Sequence, residues 1–126
     1  MDDYELTIEV RQEPGHVVVT VAGEVDIATV PQLQKRLTEP AASGQPLIVD
    51  LDQVTFLDAA GLGVLASAAS RAAARGASLQ AVCARRQVQR LFTITGLDRQ
   101  MPLARTVTEA CQNLAAGLPA EKGDRR

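Results

Sequence analysis

The chain has 126 residues, 46% of them apolar and 2% aromatic, with a formal net charge of −2 at pH 7. That length suits one domain with a single core. The near-balanced charge, the absence of a basic run before Arg125-Arg126 and the shortage of rings (Tyr4, Phe56 and Phe92 only) argue against nucleic acid as the main partner.

Glu5 to Arg11 alternates, with Leu6, Ile8 and Val10 on one side, and predicts a half-exposed strand. The turn residues Pro14-Gly15 lead into His16-Val-Val-Val-Thr-Val-Ala22, a more apolar and more central strand, so an antiparallel hairpin is expected. Gly23-Glu-Val-Asp26 ends it, and Thr29 with Pro31 marks a helix start. Val30, Leu33, Leu37 and Ala41 form that helix's inner face, and Pro40 to Gly44 its end. Leu47-Ile-Val-Asp-Leu51 is almost unbroken in apolar character, as in a strand covered on both faces.

A second helix is predicted from just after Asp58 to about Arg75, closed by Gly76. Leu62, Leu65, Ala66, Ala69, Ala72 and Ala73 face inward; Gly63, Ser67, Ser70, Arg71 and Arg75 form its polar stripe. Ser78 to Cys83 reads as a fourth strand. Arg85 to Thr95 reads as a helix with Val88, Leu91, Phe92 and Thr95 inward, ended by Gly96. Pro102 to Thr106 is a short candidate edge strand, and Val107, Ala110, Cys111, Leu114 and Ala115 line a last helix. The order predicts a single α/β domain: a mixed, mostly parallel sheet of four to five strands packed with about four helices. Leu118 to Arg126 reads as a frayed tail.

No apolar segment approaches ~18 uncharged residues, so no membrane insertion is expected. The acidic start Met1-Asp2-Asp3-Tyr4-Glu5 lacks the apolar stretch of a signal peptide, and a cytoplasmic protein is expected. Cys83 and Cys111 have no metal-ligand spacing; they are two reduced thiols or, in a minority reading, a redox pair, which needs the strand of Cys83 to lie beside the last helix.

Functional interest centres on Val54-Thr-Phe-Leu-Asp-Ala-Ala-Gly-Leu-Gly-Val-Leu65. It reads as a buried strand end turning into a helix, a place where α/β proteins put phosphate chemistry and partner contacts. Asp58 and Gly61 stand at the junction, yet Ala59 and Ala60 between them carry no reactive group. Asp58 can cap the helix. Asp26, at the end of a neighbouring strand, belongs beside it if the two strands are adjacent. Thr29 reads as a cap or loop residue. Asp50 and Asp52 invite comparison with receiver domains, but a late-sheet Lys is missing: the only lysines are Lys35 and Lys122. His16, the single histidine, stands by a hairpin turn without a metal-binding array. Nothing resembles a catalytic constellation, so no enzyme activity, cofactor or metal is expected.

Three motifs in order, Gly23-Glu-Val-Asp26, Phe56-Leu-Asp-Ala-Ala-Gly-Leu-Gly63 and Val88-Gln-Arg-Leu-Phe-Thr-Ile-Thr-Gly-Leu97, resemble those of the anti-sigma factor antagonists, small bacterial proteins built of one STAS domain. The similarity spans about residues 4–116 and leaves 117–126 as the tail. It implies partner switching: the antagonist binds an anti-sigma factor, usually a serine kinase of the histidine-kinase-like ATPase type, and so frees a sigma factor. Any ATP would belong to that partner. The resemblance places the family's phosphoacceptor serine at Ala60, whose methyl group cannot accept phosphate.

A permanently competent antagonist, a member regulated otherwise and an engineered non-phosphorylatable form all remain open. The docking surface implied comprises Asp26, Thr29, Asp58, Ala59, Ala60, Gly61, Leu62, Gly63 and Ser67, with an exposed Leu62 or Gly63 giving close approach. A monomer and a weak dimer both fit. The alternatives are a STAS subunit of a transporter-associated or other regulatory complex and a redox sensor using Cys83 and Cys111.

Overall fold

The computed structural model describes residues 6–115. Ten elements follow in order: β1 (Thr7–Glu13), β2 (His16–Val25), α1 (Val30–Ala42), β3 (Leu47–Leu57), α2 (Ala59–Ala74), β4 (Leu79–Val82), α3 (Arg86–Thr95), α4 (Leu97–Gln100), β5 (Leu103–Ala104) and α5 (Val107–Ala115). They form one five-stranded sheet in the order β1-β2-β3-β4-β5. Only the β1–β2 pair is antiparallel. The expected fold class is therefore observed. The one-turn α4 is an addition, and the expected tail lies outside the described residues.

Each strand from β2 onward is added on the same side of its predecessor. Right-handed crossovers then put every connecting helix on the same face of the sheet. The larger core lies there: Leu33, Leu37 and Ala41 of α1, Leu65, Ala68, Ala69 and Ala72 of α2, and Val88 and Phe92 of α3 cover the alternate strand residues Val17, Val19, Val21, Leu47, Val49, Leu79 and Ala81. Because α5 follows the last strand, it is free to cover the other face. It does so with a smaller cluster of Val18, Ile48, Val82, Ala104 and Ala110.

Several local expectations are corrected. Val10, expected inward, is 37% exposed, because β1 is the sheet edge. The first helix continues through Pro40 to Ala42, since a proline in the last turn costs only one backbone donor. In α2 Ala68 is buried and Ala73 is exposed. Thr95 is exposed too, its hydroxyl donating to the Leu91 carbonyl at 2.7 Å, and Ala115 lies exposed at the end of α5.

The cysteine pair is overturned by the same geometry. β4 does contact α5, but Cys83 belongs to the larger core while Cys111 packs against the smaller one. The two thiols are free and belong to clusters on opposite faces of the sheet, so an intrachain disulfide would require the backbone to move.

Candidate functional site

β2 and β3 are parallel neighbours that end together, with Val25 beside Leu57. The loops that follow them must therefore emerge side by side. The Asp58 N–H donates to the Val25 carbonyl at 3.2 Å and ties the two loop starts together. Asp26 and Asp58, 32 positions apart in sequence, thus stand at adjacent strand ends, as their order along the chain suggested.

The first loop is closed by its own side chains. Asp26 Oδ1 accepts from the Ala28 and Thr29 N–H groups at 3.0 and 3.1 Å. Thr29 Oγ1 accepts from the Asp26 N–H at 3.0 Å and donates to the Glu24 carbonyl at 2.8 Å. Such side-chain turns pin a loop without help from tertiary packing. They leave Ile27, between them, 79% exposed.

The second loop is shorter still. Asp58 is the N-cap of α2 in extended conformation, its Oδ1 accepting from the Gly61 N–H at 3.1 Å. Gly61 is buried because α2 starts hard against the strand ends. An ideal Cβ on Gly61 would lie 2.5 Å from Val25 Cγ1 and 2.7 Å from Leu57 Cδ1. Leu62 is also buried, at 9% exposure, and packs into the larger core. Of the two residues expected to give close approach, only Gly63 is exposed, with nothing within 4 Å of where its Cβ would stand.

From this bend a smooth stripe runs along α2. Ala59, Gly63, Ser67, Ser70 and Ala74 are all exposed, spaced three or four apart, and none is charged or large. Ala60 is half-buried beside Ala59. Ser70 Oγ is engaged by Gln100 Nε2 at 2.9 Å. Residues 26, 29 and 58–60 thus stand together at one end of the sheet, and 63 and 67 follow along the exposed face of α2, while Gly61 and Leu62 support the turn from beneath.

Two apolar side chains here escaped sequence reasoning. Ile27 interrupts an otherwise polar loop, and Phe56 is 51% exposed at the end of β3. The signal for Ile27 was an aliphatic residue between two capping side chains. For Phe56 it was one of only three rings placed just before the turn. Asp50 and Asp52 have structural duties: Asp50 Oδ1 accepts from the Asp52 N–H, and Asp52 Oδ1 from the Ala84 N–H, both at 3.0 Å. No group of acids, histidines or cysteines that could hold a metal occurs among the described residues. No helix among them is long and apolar enough to cross a membrane.

A family model for the STAS domain matches residues 7–110, nearly the whole described fold. The chain belongs to the STAS domain family. It is 33% identical over 92 residues to the anti-sigma-B factor antagonist of Bacillus subtilis, covering 73% of this chain and 84% of that one. With the anti-sigma-B factor antagonist of Staphylococcus aureus it shares 32% identity over 97 residues, 76% of this chain and 90% of the relative. Among solved structures, an anti-sigma factor antagonist from Mycobacterium paratuberculosis superposes with a TM-score of 0.82 at 30% identity, covering 90% of this chain and 97% of that protein. This STAS protein is a member of the anti-sigma factor antagonists.

Proposed function

We propose that this antagonist works by holding an anti-sigma factor against the paired loops 26–29 and 58–61 and the first two turns of α2, as a cytoplasmic binding protein rather than an enzyme. The observation that carries this is the bond from the Asp58 N–H to the Val25 carbonyl, which merges two loops distant in sequence into one surface. Ile27 offers an apolar anchor at its edge, and the Ala59–Gly63–Ser67 stripe lets a partner backbone come close without displacing long side chains. The relatives named anti-sigma-B factor antagonists support an anti-sigma factor as the occupant.

In the family pattern that occupant is a serine kinase of the histidine-kinase-like ATPase type, and ATP belongs to it. Ala60 carries only a methyl group where that pattern has its phosphoacceptor, so the bend itself is not a phosphorylation site. The remaining exposed hydroxyls on α2, Ser67 and Ser70, lie one or more turns beyond the first turn, away from its orphan N–H groups.

The test is retention of the source organism's anti-sigma factor by the immobilised chain, alone and as the Ala60→Asp variant. An acidic residue in a helix's first turn favours the helix dipole, so Ala60→Asp should fold as well as the unchanged chain. Placed in the middle of a contact, the same charge should weaken binding about tenfold or more. Retention of no anti-sigma factor by the unchanged chain, or equal affinity of the two forms, would contradict the proposal.

A further inference from the structure

The net charge of −2 conceals a strong segregation. Between Asp58 and Asp98 the chain has five arginines, Arg71, Arg75, Arg85, Arg86 and Arg90, and not one Asp or Glu. Three of the five gather at the start of α3, beside the C-terminal end of β3. There a groove of about 380 Å³ is lined by Arg86, Gln87, Arg90 and Leu91. A second pocket of about 140 Å³ adjoins it, sharing Gln87 and Leu91 and adding Arg85, Val88 and the β3 residues Val54, Thr55, Phe56 and Leu57.

The floor of this groove is apolar and its rim is cationic. Arg86 and Arg90 are exposed, one turn apart on the same side of α3, and Ile94 continues their row at 72% exposure. Arg85 Nη2 reaches only the Asp52 carbonyl, at 3.4 Å. Among the described residues the one ion pair is Arg11 with Glu13, so Arg86 and Arg90 make no ion pair with a carboxylate of the described fold. Guanidinium groups left unpaired around an apolar slot suit a ligand that brings its own carboxylates, which they can grip in two-point fashion. A volume near 150 Å³ holds a benzene ring, so the smaller pocket has room for one Leu- or Phe-sized side chain.

We infer that this groove takes an acidic segment of the anti-sigma factor, with an apolar side chain seated between Phe56 and Leu91 and flanking Glu or Asp residues on Arg86 and Arg90. The inference rests on the proposed function, since the groove begins at Phe56 and Leu57, immediately before the Asp58 bend. It extends that contact from a neutral bend to a charged arm. The bend supplies close packing, and the arm supplies charge-dependent capture and partner choice.

The experiment compares four forms against the anti-sigma factor retained by the unchanged chain: unchanged, Arg86→Glu/Arg90→Glu, Arg86→Lys/Arg90→Lys and Ala60→Asp. All altered side chains lie at or near the surface, and circular dichroism checks folding. The double reversal should weaken binding at least about tenfold and flatten its dependence on NaCl, whereas Arg86→Lys/Arg90→Lys, which keeps the charge but loses the two-point grip, should weaken it less and leave the NaCl dependence in place. Amide exchange across residues 86–95 should slow in the complex. If the reversal leaves affinity within twofold and exchange unchanged while Ala60→Asp weakens binding, the groove is not an interface and the bend remains one. If only the reversal weakens binding, the groove stands and the role of the bend falls. If neither does, both fall.

Discussion

Gly61 stands so near Val25 that a methyl group on its Cα would come within 2.5 Å of Val25 Cγ1. This contact sets how deeply the first turn of α2 nests against the ends of β2 and β3, and so where Asp58, Ala59 and Ala60 sit. Both obstructing atoms, Val25 Cγ1 and Leu57 Cδ1, belong to buried side chains with little room to turn away. Gly61→Ala should cost about 1–3 kcal/mol by overpacking, despite alanine's better helix propensity. Urea denaturation of the two forms measures it; an unchanged midpoint would mean the turn relaxes freely.

Asp58 holds the same turn by a different means. Its carboxylate satisfies the Gly61 N–H, so Asp58→Ala should lose about 1 kcal/mol, while Asp58→Asn, which keeps an acceptor oxygen, should lose less. A ranking of unchanged, Asn and Ala in midpoint temperature is the expected outcome. Equal losses for Asn and Ala would show that the charge, and not the accepted hydrogen bond, is what the turn needs.

Gly63 separates stability from function. Nothing lies within 4 Å of the position its Cβ would take, and glycine inside a helix is about 1 kcal/mol worse than alanine. Gly63→Ala should therefore raise the denaturation midpoint. If a partner backbone lies along the Ala59–Gly63–Ser67 stripe, the same methyl should weaken the complex measurably. A variant that is more stable and binds equally well would move the contact off that stripe.

The strand and helix order was legible because the local signals agreed: alternation in β1, a continuous apolar run in β3, Asp58 before an apolar helix, and Gly76 after it. The adjacency of Asp26 and Asp58 was legible as well, because parallel strands joined by one helix end at the same side. Side-chain exposure at the bend was not. Leu62 and Gly63 are neighbours whose burial depends on where α2 meets Val25 and Leu57, a tertiary distance that periodicity does not contain. The assignment of Cys83 and Cys111 to opposite faces depends likewise on which side of the sheet α5 covers. The basic groove was hidden by averaging, since the acids that balance Arg85, Arg86 and Arg90 in the total lie elsewhere in the chain.

Cys83 gives a pH-dependent test of the larger core. Burial raises its thiol above the ordinary value of 9.0, and the Asp52 and Asp50 charges add to that shift; the Arg85 N–H donated to Sγ at 3.4 Å and the Arg85 charge oppose it without reversing it. The unfolded chain therefore releases this proton at lower pH than the folded one. Below about pH 9 both states hold it and its contribution is intact. As pH rises through the unfolded and then the folded value, the unfolded state binds fewer protons and stability falls. Cys83→Ala should be less stable than the unchanged chain at pH 7, because a buried group is lost, but the difference should narrow between pH 9 and pH 10.5. Parallel urea titrations at those pH values measure the gap, and a gap that stays constant would show that Cys83 ionises as readily folded as unfolded. Consistent with its burial, Cys83 should also resist a thiol reagent until the chain unfolds, whereas the half-buried Cys111 should react first.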